Sequence, residues 1–288
     1  MPKSPQTRFV ENTRILEVQG YGPPLVLVHG LSDSADTWRP LLERLAAQGR
    51  YALALDLPGF GAAPDAQPGN VLPQLEAEVV AAAKRAIAAT GMAPVLVGNS
   101  LGGMVALHVA ARNPKLVSAA VPVCSAGLYH PAWIRLIATP ALRLVLPVLA
   151  TRPLRRLSGA ALLHTSTTIR SDSAREHLPR LLSHLSRSRL AHQLWIVSRL
   201  LKEGAYPLDL ESIDCRVLFV WGDRDRAAIW RVNHDHLLAA AQRAPHGHSE
   251  VIPGCGHMPQ LEMPDELLRL IDAFSPIRTD DEASTFGF

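Results

Sequence analysis

Three short runs in this chain combine residue types and spacing that could do chemistry. The first is Gly98-Asn99-Ser100-Leu101-Gly102-Gly103, which follows the apolar run Pro94-Val95-Leu96-Val97-Gly98 and precedes a helical pattern from Leu101 to Arg112. A strand that turns into a helix this abruptly drives side chains two positions apart into the backbone, and glycine at both flanks removes the collision. Ser100 is thereby expected to project its hydroxyl above a sheet, beside a helix start whose unpaired N–H groups and dipole favour negative charge. The competing reading is a glycine-rich turn with a capping serine. The strand before it, the helix after it and the extra glycine favour a nucleophile.

A serine hydroxyl is a weak nucleophile without a base. The chain has 12 histidines, so context must choose among them. His257, in Pro253-Gly254-Cys255-Gly256-His257-Met258-Pro259, falls in a loop between an apolar strand pattern and the last helical pattern. That location puts it at the carboxyl edge of an open sheet, the same edge as Ser100 and the one where such sheets bind ligands. His29, at another strand end and followed by Gly30, reads as structural. His234, His236, His246 and His248 read as solvated, and His108 sits mid-helix. His130, His164, His177, His184 and His192 lie in a helical segment where one or two could touch substrate. The base needs an acid to orient it, and Trp221-Gly222-Asp223-Arg224-Asp225 follows another predicted strand with two aspartates. Asp225 is favoured, because Asp223 directly after the strand-end glycine is placed to cap the turn.

The elements that must position these groups alternate. Apolar runs at Leu25–His29, Tyr51–Asp56, Pro94–Gly98, Leu116–Cys124 and Arg216–Gly222 are separated by helical patterns, among them Leu72–Thr90 and Leu101–Arg112. Strands apolar throughout, alternating with helices, indicate a parallel sheet covered on both faces. Arg8–Val18 alternates more and predicts an antiparallel edge strand or hairpin. Asp33 or Ser34 is placed to cap a helix carrying Trp38, Leu41, Leu42 and Leu45. A helix over Trp230–Arg243, a short strand Glu250–Ile252 and a helix Asp265–Phe274 complete the pattern, and Pro276–Phe288 is a polar tail. Between 128 and 210 no strand is evident. That segment is helical and proline-punctuated and carries 12 Lys and Arg against 4 Asp and Glu, within a chain whose net charge is only +3. It reads as a helical insertion, residues 128–210, in a core formed by residues 1–127 and 211–288.

Composition narrows the function class. At 288 residues, 48% hydrophobic and 19% charged, the chain fits one large α/β domain with an insertion. A net charge of +3 excludes the basic balance of a nucleic-acid binder. Cys124, Cys215 and Cys255 lack any paired spacing and read as reduced thiols. The most apolar stretch, Trp133–Ala150, is broken by Arg135, Pro140, Arg143 and Pro147, and a bilayer span needs about 20 mostly apolar residues. A cytoplasmic protein, monomeric or homodimeric, without stable membrane insertion, is expected.

Taken in order, His29-Gly30, Asp56-x-Pro58-Gly59-x-Gly61, Gly98-x-Ser100-x-Gly102-Gly103, Trp221-Gly222-x-x-Asp225 and Gly256-His257 resemble the α/β-hydrolase superfamily from about Leu25 to Phe274. The resemblance implies a mostly parallel eight-stranded sheet with helices on both faces and a helical cap at 128–210. It also implies an oxyanion hole from the backbone N–H groups of Leu31 and Leu101. Some relatives take the acid from the loop after the strand that precedes the cap. Here that loop reads Cys124-Ser125-Ala126-Gly127 and holds no carboxylate, which leaves Asp225.

The expected activity is hydrolysis of a small to medium, apolar carboxylic ester through an acyl-enzyme on Ser100, with Asp225 and His257 and without metal or organic cofactor. The Asn99-bearing turn is also similar to carbon–carbon bond hydrolases of aromatic ring-cleavage pathways. The chain departs from them with Leu31-Ser32-Asp33-Ser34 in place of a glycine-rich loop and with Met258 where they carry tryptophan. A non-catalytic ligand-binding homologue is the least favoured reading, since such proteins lose a triad member. In the cap, Arg152, Arg155 and Arg156 are a further expectation, as a cluster that would steer acidic substrates.

Overall fold

A computed structural model describes residues 5–10, 13–128, 172–184, 186–203, 208–227 and 230–274. The chain opens with a hairpin, β1 (Gln6–Val10) and β2 (Thr13–Val18), then runs through β3 (Tyr21–Val28), a 3₁₀ turn (Ala35–Trp38), α1 (Arg39–Ala47) and β4 (Arg50–Leu55). There follow α2 (Leu72–Thr90), β5 (Val95–Asn99), α3 (Leu101–Arg112) and β6 (Ala119–Val123). Within the expected insertion lie α4 (Asp172–His184) and α5 (Arg187–Lys202). The chain returns through β7 (Arg216–Gly222), α6 (Trp230–Arg243), β8 (Gly247–Ile252), the short α7 (Pro259–Glu262) and α8 (Pro264–Phe274).

The eight strands form one sheet in the order β1-β2-β4-β3-β5-β6-β7-β8. Only the β1–β2 and β2–β4 pairs are antiparallel; every later pair is parallel. Every residue of β4, β5 and β6 is buried. Successive strand residues point to opposite faces, so burial of all of them means that both faces are covered. The covering layers include α2 and α3, packed together over β3 to β6, and α1 packed with α8. This is the α/β-hydrolase arrangement expected from the sequence, with the predicted hairpin at the antiparallel edge.

Parallel strands put their carboxyl ends, and the loops that follow, at one edge. The end of β3 is tied to the end of β4 by a buried charge network. Arg14 on β2 donates to both carboxylate oxygens of Asp56, at 2.7 and 3.1 Å, and to Asp36 at 2.8 Å. Asp56 also accepts the backbone N–H groups of Ala35 and Ala62, each at 2.7 Å. Burial by itself would raise the Asp36 carboxyl, but hydrogen bonds from His184 and Arg14 hold it far below the usual carboxylate range. The network corrects one expectation. Because Asp56 takes the Ala35 amide, the helix start is displaced: a 3₁₀ turn precedes α1, and the Ser34 side chain makes no cap. Ser34 instead donates to Asp36, and Asp33 turns to His177 on α4.

Between 128 and 210 the described residues are mostly the two helices α4 and α5, and α5 is fastened along residues 59–72. Arg189 donates to the Ala63 carbonyl at 2.8 Å, the His192 ring accepts the Ala66 N–H at 2.9 Å, and Arg199 donates to the Gly69 carbonyl at 3.1 Å. Glu203 accepts the Val71 and Leu72 amides at 2.8 and 3.0 Å, supplying the N-terminal cap of α2 that Val71 lacks. Gly59 shows how close the approach is. Its φ is +85°, and a Cβ there would lie 2.5 Å from Ile196 Cδ1. The apolar stretch 133–149, the arginines at 152, 155 and 156, His130, His164 and the tail 276–288 lie outside the described residues. Among the described residues no helix is long and apolar enough to cross a membrane.

Removing one partner of a buried ion network strands the others, at a cost of about 3–5 kcal/mol. Arg14→Met, which leaves Asp56 and Asp36 facing each other without their shared cation, is therefore expected to lower stability by about that amount. Urea unfolding followed by tryptophan fluorescence measures it, and a shift of only a few tenths of a kcal/mol would contradict this role for the network.

Candidate active site

The turn from β5 into α3 is made by one residue. Ser100 has φ 52° and ψ −113°, a conformation that costs an L-residue about 1–3 kcal/mol. It persists because the flanks are locked. A Cβ on Gly98 would lie 2.2 Å from the Gly102 carbonyl oxygen, and one on Gly102 would lie 2.3 Å from the Val28 carbonyl oxygen. The Ser100 N–H donates to Val123 at 2.9 Å, and its carbonyl accepts from Gly103, Met104 and Ala126 at 3.1, 3.2 and 3.0 Å. The backbone is thus held on both sides, while the serine stands at the start of a helix whose first amide, Leu101, has no partner within the helix.

The structure brings Asp225 and His257, carried on separate loops, side by side. His257 Nδ1 lies 2.7 Å from Asp225 Oδ2, the aspartate is fully shielded, and its other oxygen accepts the Ala227 N–H at 2.9 Å. The carboxylate accepts from the ring, which puts the Nδ1 proton between them and leaves Nε2 as the basic nitrogen. Burial pushes the imidazole towards its neutral form, but the Asp225 charge and hydrogen bond outweigh that, and the His257 pKa is raised above its ordinary value. Asp223 does what its position implied: Oδ1 accepts the Gly254 N–H at 2.6 Å and closes a turn. His29 is likewise tied into the backbone, with Nδ1 2.8 Å from the Gly30 carbonyl and Nε2 accepting the Leu57 amide at 3.0 Å. Both rings therefore have defined tautomers, but His29 has no free nitrogen.

Three further residues assemble the site that spacing alone did not single out. Asn99, beside the serine, donates from Nδ2 to the carbonyls of His257 at 2.9 Å and of Val123 at 3.2 Å. It ties the histidine loop directly to the serine turn. Glu262 on α7 accepts the amides of Gly256 and Met258 at 3.0 and 3.3 Å, which fixes the backbone on either side of the histidine. Its charge also adds to the raised His257 pKa. Cys124 ends β6 at φ 45° and sits buried behind the aspartate. Burial drives its thiol well above the usual value, so it stays protonated, and Sγ is 3.8 Å from the Gly256 carbonyl. Only Asn99 carried a signal in the chain, its place inside the glycine motif; the others act through folding contacts between distant segments.

Cys124, Asp225 and His257 are the one group among the described residues whose ligand atoms, all within 4.8 Å, could hold a metal ion. The geometry fits a metal poorly. The imidazole and carboxylate are already engaged with each other, and the thiol is protonated. The segment after β3 closes the site from the other side: a Cβ on Gly30 would lie 3.3 Å from Ser100 Cβ, so Leu31 follows directly beside the serine. Among the described residues neither the Leu31 nor the Leu101 amide has a backbone acceptor. Of the insertion histidines, His177 and His192 bond to the core rather than face open space, and His184 lies 3.8 Å from Asp36.

Comparison with known proteins agrees with this architecture. Residues 25–270 match the model of a family described as the alpha/beta hydrolase family. The chain is 32% identical over 278 residues to a pimeloyl-[acyl-carrier protein] methyl ester esterase of Xanthomonas campestris pv. campestris, covering 90% of this chain and 97% of that protein. Among solved structures it is similar to a membrane phospholipase A described as a bacterial virulence factor, with TM-score 0.71 and 25% identity over 94% of this chain and 85% of the other. It also shares the fold of a 2-hydroxy-6-oxo-6-phenylhexa-2,4-dienoate hydrolase from Rhodococcus, with TM-score 0.72 and 21% identity over 94% of this chain and 99% of the other. With the family model spanning most of its length and the fold and strand order in agreement, this chain belongs to the alpha/beta hydrolase family and is an enzyme of the hydrolase class.

Proposed function

We propose that this enzyme hydrolyses a carboxylic ester of a small to medium, apolar substrate through an acyl-enzyme on Ser100, with His257 as base and Asp225 as the acid that orients it. The observation that carries the reading is the His257–Asp225 pair, bonded at 2.7 Å and tethered at the His257 carbonyl by Asn99, the residue next to a strained serine. The 32%-identical relative is named for cleavage of a methyl ester, which supports an ester as the scissile group. The core comprises residues 1–127 and 211–288, with residues 128–210 as a helical cap over the carboxyl edge.

In this mechanism His257 Nε2 takes the Ser100 hydroxyl proton as Oγ attacks the ester carbonyl carbon. The carbonyl π electrons move to oxygen, and the oxyanion is held by the Leu31 and Leu101 N–H groups. The tetrahedral intermediate collapses with loss of the alcohol, which takes its proton from His257, and an acyl-serine remains. Water, deprotonated by the same imidazole, repeats the attack and releases the carboxylic acid. Asp225 stays ionised and stabilises the imidazolium formed in each half. Loss of one oxyanion donor typically costs about 10²–10³ in kcat, so the two amides carry a large share of the rate.

A screen of p-nitrophenyl esters of rising acyl length is expected to show turnover, lost by at least about 10³-fold in Ser100→Ala and by about 10⁴-fold in Asp225→Asn. Asp223→Asn is expected to leave kcat close to wild type. If Asp223→Asn abolished turnover and Asp225→Asn did not, the acid assignment would be wrong.

The pH profile carries a second expectation. The base acts only when neutral, and its folded pKa is raised, so kcat/KM should fall on the acid side with a midpoint above about 6.5, the ordinary histidine value. Glu262→Gln removes a negative charge that raises the pKa, so the midpoint should move to lower pH. A midpoint unmoved or moved upward would show that Glu262 does not act on the imidazole.

A further inference from the structure

The cap reaches into the segment that carries the Leu31 amide. Ser32, the next residue, is one of three described non-glycine residues with positive φ, at 58°. Its hydroxyl donates to Gln193 Oε1 on α5 at 2.8 Å, and Gln193 is itself buried. Asp33 Oδ1 accepts its own neighbour's amide, Ser34 N–H, at 2.8 Å and lies 2.8 Å from His177 Nε2 on α4, with both side chains buried. The Gln193 amide nitrogen points the other way, towards the Gly59 carbonyl at 3.5 Å, in the turn that α5 presses upon.

Leu31 is therefore suspended between two fixed points. Behind it, Gly30 is wedged against Asn99 and Ser100, where an added Cβ would meet atoms at 3.2 and 3.3 Å. Ahead of it, Ser32 and Asp33 are pinned by side chains of two cap helices. Glycine is the residue that ordinarily occupies a left-handed position in a loop. Here a serine occupies it, and the hydroxyl that makes it a serine is spent on Gln193. Without that bond the backbone at 32 would be free to relax to negative φ, which swings the peptide groups on either side of it.

We infer that Ser32 and Gln193 are positioning residues for the oxyanion hole: through their hydrogen bond the docked cap holds the Leu31 amide in the direction that meets the developing negative charge. Neither residue touches the reacting atoms. The cap that covers the site also completes it, so cap docking and transition-state stabilisation are one event. The inference rests on the proposed serine mechanism, in which Leu31 is an oxyanion donor.

The test compares an ester with its thionoester, in which sulfur replaces the carbonyl oxygen. Sulfur carrying the negative charge accepts hydrogen bonds poorly, so an enzyme that relies on oxyanion donors discriminates against it. Wild type is expected to prefer the oxo ester by at least about 10²-fold in kcat. Ser32→Ala and Gln193→Leu are each expected to lower kcat for the oxo ester about ten- to a hundredfold, with KM changed by less than about threefold and with the oxo-to-thiono preference reduced about tenfold. The double variant should be no worse than either single one, because both remove the same bond. Thermal unfolding checks that the variants remain folded. Ser32→Ala deletes one partly exposed loop hydroxyl, so it carries the test if Gln193→Leu fails to fold. A preference unchanged in Ser32→Ala, with wild type discriminating normally, overturns the positioning role and leaves the mechanism intact. A wild type that turns over both esters equally contradicts the oxyanion mechanism itself.

Discussion

One residue has to turn a buried parallel strand into a helix, and the rest of this site is arranged around that requirement. At Ser100 the chain takes a conformation that L-residues avoid, and the flanking positions are glycines because a Cβ on Gly98 or Gly102 would collide with the backbone of Gly102 or Val28. The cost is about 1–3 kcal/mol, and it is offset by hydrogen bonds from the neighbouring strand and by burial of α3 against the sheet. The same device recurs on both sides. Ser32 after β3 and Cys124 at the end of β6 are the other described non-glycine residues with positive φ. Three strands adjacent in the sheet, β3, β5 and β6, thus end in strained turns at one edge. Strain that clusters in this way persists where the surroundings over-determine it, which is also where groups are held rigidly enough for catalysis.

Electrostatics does the corresponding work between loops. Asp56, fully buried, gathers Arg14 and the amides of Ala35 and Ala62, so the ends of β3 and β4 cannot separate without stranding a charge. On the opposite side Glu262 gathers the amides of Gly256 and Met258 around His257. Between them Asn99 joins the histidine loop to the serine turn. Each of these carboxylates or amides satisfies backbone groups that tight turns leave unpaired, so the loops gain rigidity from side chains that never meet the reacting atoms.

Much of this was legible in the chain because the local rules and the fold agree. The strand and helix bounds of α2, α3, β7 and α6 coincide with their hydrophobic periods, and the glycine spacing around Ser100 expresses a steric demand visible in the sequence itself. The preference for Asp225 over Asp223 rested on turn chemistry, and the structure places Asp223 on the Gly254 amide and Asp225 on the His257 ring. What was illegible depends on contacts between distant segments. Ser34 reads as a helix cap, but a carboxylate 21 residues away takes the amide that would have defined the helix start. Glu262, Cys124 and Gln193 carry no motif of their own. Their roles exist only once α5, α7 and β6 converge on one edge, and the place of His177, buried on Asp33, likewise depends on α4 reaching the segment after β3.

The proposed chemistry requires that the strained serine be the group that reacts. A fluorophosphonate is attacked at phosphorus only by an activated nucleophile, which displaces fluoride, and the phosphonyl adduct survives proteolysis. Reaction with the folded enzyme followed by peptide mass spectrometry is predicted to give one adduct, on the peptide containing Ser100, at a rate that falls as pH drops and His257 becomes protonated. An adduct on another residue, or labelling at Ser100 that continues unchanged in His257→Ala, would contradict the account.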